Sequence, residues 1–211
     1  MLIRVAPDLT AIVRLGVLTL EDALNAAGDC RLDAPLAAAE EAARRAPPPE
    51  GQAVRAMYRR IGLDPTKSRP SSEALLRRVR KGDRLPRINS LVDICNWCSL
   101  EFQLPYGLYD LATIEPPIDL RLGVEGEEYE GIRKDLVHVA GRMTLADMRG
   151  PFGNPTSDSA RSMVTPSTAR AVCTVFAPIE LPAARIDGIL TATARRFHDF
   201  TGARETSRAV I

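Results

Sequence analysis

The spacing of apolar side chains changes once along this chain of 211 residues, and the change limits the folds available to it. From residue 33 to residue 102, apolar residues recur every three or four positions, which is typical of amphipathic helices. From residue 118 they alternate with polar residues, which is typical of half-buried strands. Helices grouped in the middle of a chain, with strands around them, favour an α+β fold over the regular alternation of a doubly wound sheet.

Prolines, glycines and capping residues indicate where these elements begin and end. The expected helices cover residues 34–46, 51–61, 71–81, 88–102 and 186–200, with Ser71 as the N-cap of the third. The expected strands cover residues 3–5, 11–18, 118–124, 137–139, 143–146 and 172–176. Residues 150–168 are rich in glycine, proline and hydroxyl groups, so they are predicted to form a long loop. The chain length predicts one domain over residues 1–211.

Composition excludes several classes of protein. With 45% hydrophobic and 26% charged residues, the chain is unlike disordered, collagen-like or coiled-coil sequences. No apolar run reaches the ~18 residues of a membrane span, and Arg4 and Asp8 interrupt the stretch where a signal peptide would be apolar. We therefore expect a soluble, cytoplasmic protein that makes no membrane contact. In that compartment its four cysteines are expected to be reduced thiols.

One segment is strongly basic although the whole chain carries a net charge of only +1. Between Gln52 and Ile88 there are eleven lysines and arginines and three acidic residues, a net charge of +8. Such a segment attracts polyanions, of which nucleic acid is the commonest in the cytoplasm. The candidate phosphate contacts are Arg77, Arg78, Arg80, Lys81 and Arg84. The alternative is a solvated helix surface, or pairing with the acidic stretch 125–130.

The common catalytic motifs are missing from the sequence. It contains no phosphate-binding loop, no dinucleotide fingerprint and no serine-hydrolase elbow. Cys95 and Cys98 are three residues apart on a predicted helix, so both are expected to pack on its buried face, and no other ligands complete a zinc site. His138 and His198 are expected to be structural or surface residues. No metal or other cofactor is expected.

Two polar patterns remain as candidate binding groups. Asn89, Asp93 and Asn96 recur along one face of the fourth helix, which faces water or lines a pocket. The loop residues Ser157, Ser159 and Thr168 could hydrogen-bond a ribose or an amino acid, or belong to a loop that is merely mobile.

The order of several motifs resembles a known module. The chain carries PRINSLVDICN at 86–96, LPYGLYD at 104–110, then Leu120-Arg121 and Gly126-Glu127. This order resembles the B3/B4 module of the phenylalanyl-tRNA synthetase beta subunit, and more closely the small free-standing proteins built from that module alone. The resemblance covers about residues 55–177. It implies a single B3/B4-like α+β domain with central mixed or antiparallel sheets flanked by helices.

The resemblance also implies a function and one difference. In the synthetase the module hydrolyses tyrosine wrongly esterified to phenylalanine tRNA. Where the synthetase motif carries a histidine, this chain has Gly107, as the free-standing relatives also do. The replacement indicates either a lost catalytic group or a changed task.

Three hypotheses follow. The first is a deacylase that hydrolyses misacylated aminoacyl-tRNA in trans, without an assigned catalytic residue. The second is a non-catalytic module that binds tRNA or an amino acid, for example as the partner of a synthetase. The third is an enzyme that acts on a small metabolite. The candidate ligand contacts are Asn89, Asp93, Asn96, Tyr109, Asp110, Arg121, Glu127, Ser157, Ser159 and Thr168, with Glu127 as a carboxylate that recognises a substrate hydroxyl or ammonium.

Overall fold

The computed structural model describes residues 3–132 and 136–211. Its strands, in chain order, are β1 (Ile3–Val5), β2 (Val13–Glu21), β3 (Tyr106–Asp110), β4 (Ile118–Leu122), β5 (Glu128–Glu130), β6 (Leu136–His138), β7 (Met143–Asp147), β8 (Gly150–Gly153), β9 (Ala171–Pro178) and β10 (Arg204–Val210). Its helices are α1 (Asp33–Arg45), α2 (Glu50–Arg60), α3 (Ser71–Arg80), α4 (Ser90–Phe102) and α5 (Ala183–Thr201). No helix among the described residues is long and apolar enough to cross a bilayer.

Two four-stranded sheets form the framework. In the first the strand order is β1-β4-β7-β8, and in the second it is β10-β2-β9-β3. β5 and β6 form a separate hairpin. The pair β1 and β4 is parallel, whereas the other paired strands run antiparallel. The α+β class with mixed and antiparallel sheets flanked by helices is therefore confirmed.

The core is continuous between the sheets and the helices. Every residue of β9 is buried, and so are most residues of β2, because both strands have neighbours on each edge and packed faces. Phe176 of β9 and Phe197 of α5 are fully buried in the same apolar cluster. The cluster extends from Leu9 to Ala203, so both ends of the chain contribute to it.

Local sequence explains where α3 and α4 begin. The Asn89 side chain accepts a hydrogen bond from the Val92 N–H at 3.0 Å, which caps α4. The prediction that Ser71 caps α3 is wrong. Pro70 holds the N-cap position without a side-chain bond, and Ser71 is the first helical residue, since the fixed φ of proline already favours the turn.

The sequence pattern missed four strands, β3, β5, β8 and β10. β3 is buried at four of five positions and β10 is mostly exposed, so neither shows alternation of apolar and polar residues. The predicted loop 150–168 is wrong at its start, because Gly150–Gly153 pairs with β7. A short 3-10 helix, Ala160–Ser162, also lies within that stretch.

Candidate functional site

A cavity of about 380 Å³ lies between α3, α4, β3 and the segment 156–164. Most of its wall is apolar and consists of Leu75, Ile88, Val92, Tyr106, Leu108, Ile132, Met163 and Val164. Ile88 and Met163 are 43% and 39% exposed, so they lie where the cavity meets solvent. The size and the apolar wall are those of a site for a small organic group.

A few polar groups interrupt the apolar wall. They belong to Ser71, Asn96, Ser99, Thr156 and Asp158. The Ser99 hydroxyl donates to the Leu104 carbonyl at 2.8 Å, so it serves the backbone. The Ser71 hydroxyl is buried and has no hydrogen-bond partner among the described residues. A buried hydroxyl of this kind is available to a ligand.

Asp158 is the only carboxylate that the described residues contribute to this wall. The Tyr109 hydroxyl donates to Asp158 Oδ1 at 2.9 Å. Burial, followed by the nearby Asp158 charge, raises the pKa of Tyr109 well above its usual value, so the phenol remains a donor. Tyr109 is fully buried, with its ring edge-on to Phe152 at a centroid distance of 5.0 Å.

Two glycines make room for the Tyr109 ring. A Cβ atom at Gly107 or at Gly153 would fall less than 3.0 Å from the Tyr109 hydroxyl and ring carbons. Thr174, which is opposite Gly107 in the β3 and β9 pair, places its hydroxyl beside the same phenol. Position 107 therefore cannot carry a side chain while Tyr109 holds this conformation.

The loop that carries Asp158 is fixed by hydrogen bonds. Asn154 Oδ1 accepts from the N–H groups of Thr156 and Ser157, both at 2.9 Å. Tyr129 donates to the Ser157 carbonyl at 2.6 Å and accepts from Asn154 Nδ2 at 2.8 Å. Such a network favours one conformation of residues 154–158, which lie within the stretch 150–168 for which a mobile loop was the alternative.

Of the predicted polar stripe on α4, only Asn96 lines the cavity. Asn89 caps the helix and is 2% exposed. The Asp93 carboxylate accepts from the Ile88 N–H at 2.7 Å and from Arg87 Nε at 2.8 Å, and its side chain is 0% exposed. Both residues thus hold the start of α4 together.

The predicted residues on β3 and the following loops also bond to one another. The Thr168 hydroxyl donates to Asp110 Oδ2 at 2.6 Å, and Asp110 Oδ1 accepts from the Ala112 N–H at 2.9 Å. Ser159, 2% exposed, accepts from the Arg161 N–H at 3.1 Å. Asp110, Ser159 and Thr168 are thus bonded within the protein, and none of them is in the described cavity wall.

Arg121 and Glu127 form an ion pair outside the described wall of the cavity. The guanidinium donates to the two carboxylate oxygens at 2.6 and 2.7 Å. Hydrogen bonding to Arg121 lowers the pKa of Glu127, against the opposing effect of burial. The carboxylate in the cavity wall is Asp158, which the sequence pattern did not single out although it lies between Ser157 and Ser159.

The basic residues at the end of α3 and just after it lie on the surface. Arg77, Arg78, Arg80, Lys81 and Arg84 are all exposed, and none forms an ion pair with an acid of the described chain. Arg78 donates to the Arg84 carbonyl at 2.6 Å. Because Ser71, Ala74 and Leu75 line the cavity, helical spacing places Arg78 on the same helix face, one turn further along.

The cysteines and histidines contribute little polar chemistry here. Cys95 borders the cavity, and its hydrogen bond with Cys173 and burial raise the pKa of its thiol. Cys98 is fully buried, as predicted for the inner face of α4. His138 is exposed and lies 2.9 Å from Glu128. Within the described ranges no three of His, Cys, Asp and Glu are grouped as metal ligands.

Comparison with known proteins gives a family and a fold. The profile of the B3/4 domain matches residues 53–210, beyond the stretch 55–177 that carried the motifs. The structure is similar to the crystal structure of an N-terminal fragment of the phenylalanyl-tRNA synthetase beta-subunit from Pyrococcus horikoshii, with a TM-score of 0.55 and 12% identity. The similarity covers 99% of this chain and 53% of that one, so this chain spans about half of the fragment. No curated protein matches. Since the profile extends over most of the sequence, the chain belongs to the B3/4 domain family.

Proposed function

We propose that this protein binds tRNA and hydrolyses misacylated aminoacyl-tRNA in trans. The observation that carries the proposal is the position of α3, which lines the apolar cavity with its first turn and bears unpaired basic residues in its last. An aminoacyl ester at the end of a tRNA combines an amino-acid side chain with adjacent phosphates. The cavity suits the first, and the basic surface suits the second.

The polar groups of the cavity wall suit an aminoacyl group. The Asp158 carboxylate can bind an ammonium or a hydroxyl group of the ligand, the role first expected of Glu127. The Asn96 amide and the hydroxyls of Ser71 and Thr156 can hydrogen-bond the ester carbonyl or a water molecule. These groups would act by orientation and by polarising the carbonyl.

The hydrolytic step needs no covalent intermediate on the protein. Water attacks the ester carbonyl, the bond between the carbonyl carbon and the ribose oxygen breaks, and the proton of the water passes to that oxygen. An aminoacyl ester is already activated, so positioning alone can accelerate this step. Neither histidine contributes to the described cavity wall, so no histidine base is assigned.

Deacylation tests this proposal directly. We expect release of amino acid from at least one tRNA in a panel of mischarged tRNAs to be faster than spontaneous hydrolysis, and Asp158→Asn to reduce the rate. The matched control is Glu127→Gln, which removes a carboxylate outside the cavity wall. A rate equal to spontaneous hydrolysis for every tRNA would overturn the deacylase proposal.

A second candidate function is binding without hydrolysis. The observation that favours it is Gly107, where the Tyr109 ring leaves no room for the histidine of the related synthetase motif. A module of this kind would hold tRNA or an amino acid, for example beside a synthetase. It predicts that Asp158→Asn weakens binding while no variant changes a hydrolysis rate.

Binding to RNA tests both candidates against an enzyme of small metabolites. Each phosphate contact contributes roughly 0.7–0.9 to the slope of log affinity against log salt. Replacing Arg77, Arg78, Arg80 and Lys81 by glutamine should flatten that slope and weaken tRNA binding without unfolding the protein, since all four side chains are exposed. Unchanged affinity at two salt concentrations would remove α3 as the RNA surface.

A further inference from the structure

The hydrogen bond between Tyr109 and Asp158 joins a residue of the protein interior to a residue of the cavity wall. Asp158 lines the cavity, whereas Tyr109 is absent from the described wall and lies behind it, fully buried. β3 explains the separation, because Tyr106 and Leu108 line the cavity while Gly107 and Tyr109 occupy the alternate positions. The phenol therefore reaches the carboxylate from the side opposite to a ligand.

The space for this phenol is built by both sheets. Gly107 lies on the edge strand of one sheet, and Gly153 ends the edge strand β8 of the other. A Cβ atom at either position would come within 3.0 Å of the Tyr109 ring. Two glycines on separate strands thus leave space that the Tyr109 ring fills. Gly107 is therefore needed to accommodate Tyr109, and it is not an empty position left by a lost histidine.

A hydrogen bond from a neutral donor to a carboxylate is stronger than one between neutral groups, and it fixes the orientation of the carboxylate. Tyr129 and Asn154 hold the backbone of the same loop but bond to the Ser157 carbonyl and to each other. Tyr109, in contrast, bonds to the Asp158 side chain itself. Orientation of a binding group before the ligand arrives increases affinity for a ligand that matches it.

Building on the proposed function, we propose that Tyr109 is the positioning residue that sets the ligand preference of the cavity. It orients the Asp158 carboxylate toward ligands that carry a hydrogen-bond donor, and Gly107 and Gly153 accommodate it. The donor is either the α-ammonium or a side-chain hydroxyl of an aminoacyl group. Gly107, in place of the histidine, then contributes to a different way of selecting the ligand.

Three stable aminoacyl-nucleoside amides can test this assignment by calorimetry. The tyrosyl, phenylalanyl and 3-phenylpropanoyl amides of 3′-amino-3′-deoxyadenosine differ stepwise by the phenol hydroxyl and by the α-ammonium. We expect the wild-type protein to prefer at least one donor-bearing member over its partner by roughly tenfold, as for one charge-assisted hydrogen bond. The pair in which the preference appears identifies which donor Asp158 recognises.

The decisive variant is Tyr109→Phe, which removes one oxygen and keeps the ring. We expect it to reduce that preference to less than about threefold while the donor-free amide binds as before. Tyr58→Phe is the matched control, since the buried Tyr58 also bonds to this loop, at the Thr156 hydroxyl, without contacting Asp158. Tyr58→Phe should keep the preference. If the preference depended only on the stability of the protein, both variants would lose it.

A second variant covers the case in which Tyr109→Phe does not fold. Gly107→Ala keeps the phenol but displaces it, and it should also reduce the preference. A preference that is unchanged or larger in a folded Tyr109→Phe variant would overturn the role of Tyr109 and leave the proposed function intact. If the wild-type protein binds none of the three amides, or binds all three equally, this assignment fails, and the deacylation assay decides the proposed function separately.

Discussion

Asp93 and Asp158 are two carboxylates in hydrogen-bonded surroundings, but their environments differ. Asp93 at the start of α4 is completely buried and bonded to an arginine and a backbone N–H. Asp158 accepts from a tyrosine and forms part of a cavity wall. Asp93 thus lies where only the protein can reach it and serves the fold, whereas a carboxylate at a cavity wall is placed to bind a ligand.

The largest expected difference between the two carboxylates is in the stability that is lost when each is removed. Asp93→Ala leaves the Ile88 N–H and the Arg87 Nε without their acceptor, while Arg87 keeps its bonds to Asp33 and the Asp29 carbonyl. We therefore expect a loss of about 2–3 kcal/mol in the free energy of unfolding. Asp158→Asn should cost less than Asp93→Ala, because the amide oxygen can still accept from Tyr109. Urea denaturation of both variants measures the difference. Equal losses would contradict the separation into a structural and a binding carboxylate.

The next largest effect is expected at Gly107, which with Gly153 makes room for the Tyr109 ring. Gly107→Ala should lower the unfolding free energy by about 1–3 kcal/mol, because the new methyl group overlaps the Tyr109 ring. In a Tyr109→Leu background the same substitution should cost less, since the shorter side chain leaves room. Thermal or urea denaturation of the four proteins in this cycle measures the coupling. Additive losses would show that the glycine and the tyrosine act independently.

A smaller effect is expected at Glu127, a third carboxylate, which like Asp93 forms an ion pair with an arginine. Its pKa is lowered in the folded state, so its pairing with Arg121 stabilises the protein above the ordinary carboxyl pKa of 4.5. That contribution is lost as the pH falls through the lowered pKa. Glu127→Gln should therefore flatten the decline in stability below about pH 4.5.

The size of this pH effect should be below about 1 kcal/mol, since both side chains are partly exposed and solvent screens the pair. Measurements of unfolding free energy between neutral pH and acid give the two curves. Parallel curves for wild-type and Glu127→Gln proteins would show that the ion pair does not contribute to stability.

The helices could be predicted because their apolar residues repeat at helical spacing. Val79 is buried and the basic residues of α3 are exposed, as the pattern indicated. Asn96 belongs to the polar stripe of α4 that was expected to face water or to line a pocket, and it lines the cavity. Strands such as β10 could not be predicted, because a strand exposed at most positions shows no alternation of apolar and polar residues.

The candidate site was harder to predict than the fold. Asp93 and Asn89 looked like pocket residues because they share a helix face with Asn96, but a helix start needs polar side chains for its own N–H groups. Asp158 lies in an irregular segment with no periodicity. Its contact with Tyr109 spans 49 positions, and only the meeting of two sheets brings them together. Long-range contacts of this kind leave no local pattern.

The strand order of the second sheet also affects how the chain can fold. β2 lies outside the residues that match the family profile, yet it is an interior strand, bonded to β9 on one side and to β10 on the other. Val17 pairs with Thr174 and with Ala209, so both ladders close loops of well over a hundred residues. Contacts of such sequence separation make folding slow, because chain entropy is lost before they form. The sheet therefore cannot be completed until β9 and β10 have been synthesised, and β2 lacks its native partners until then.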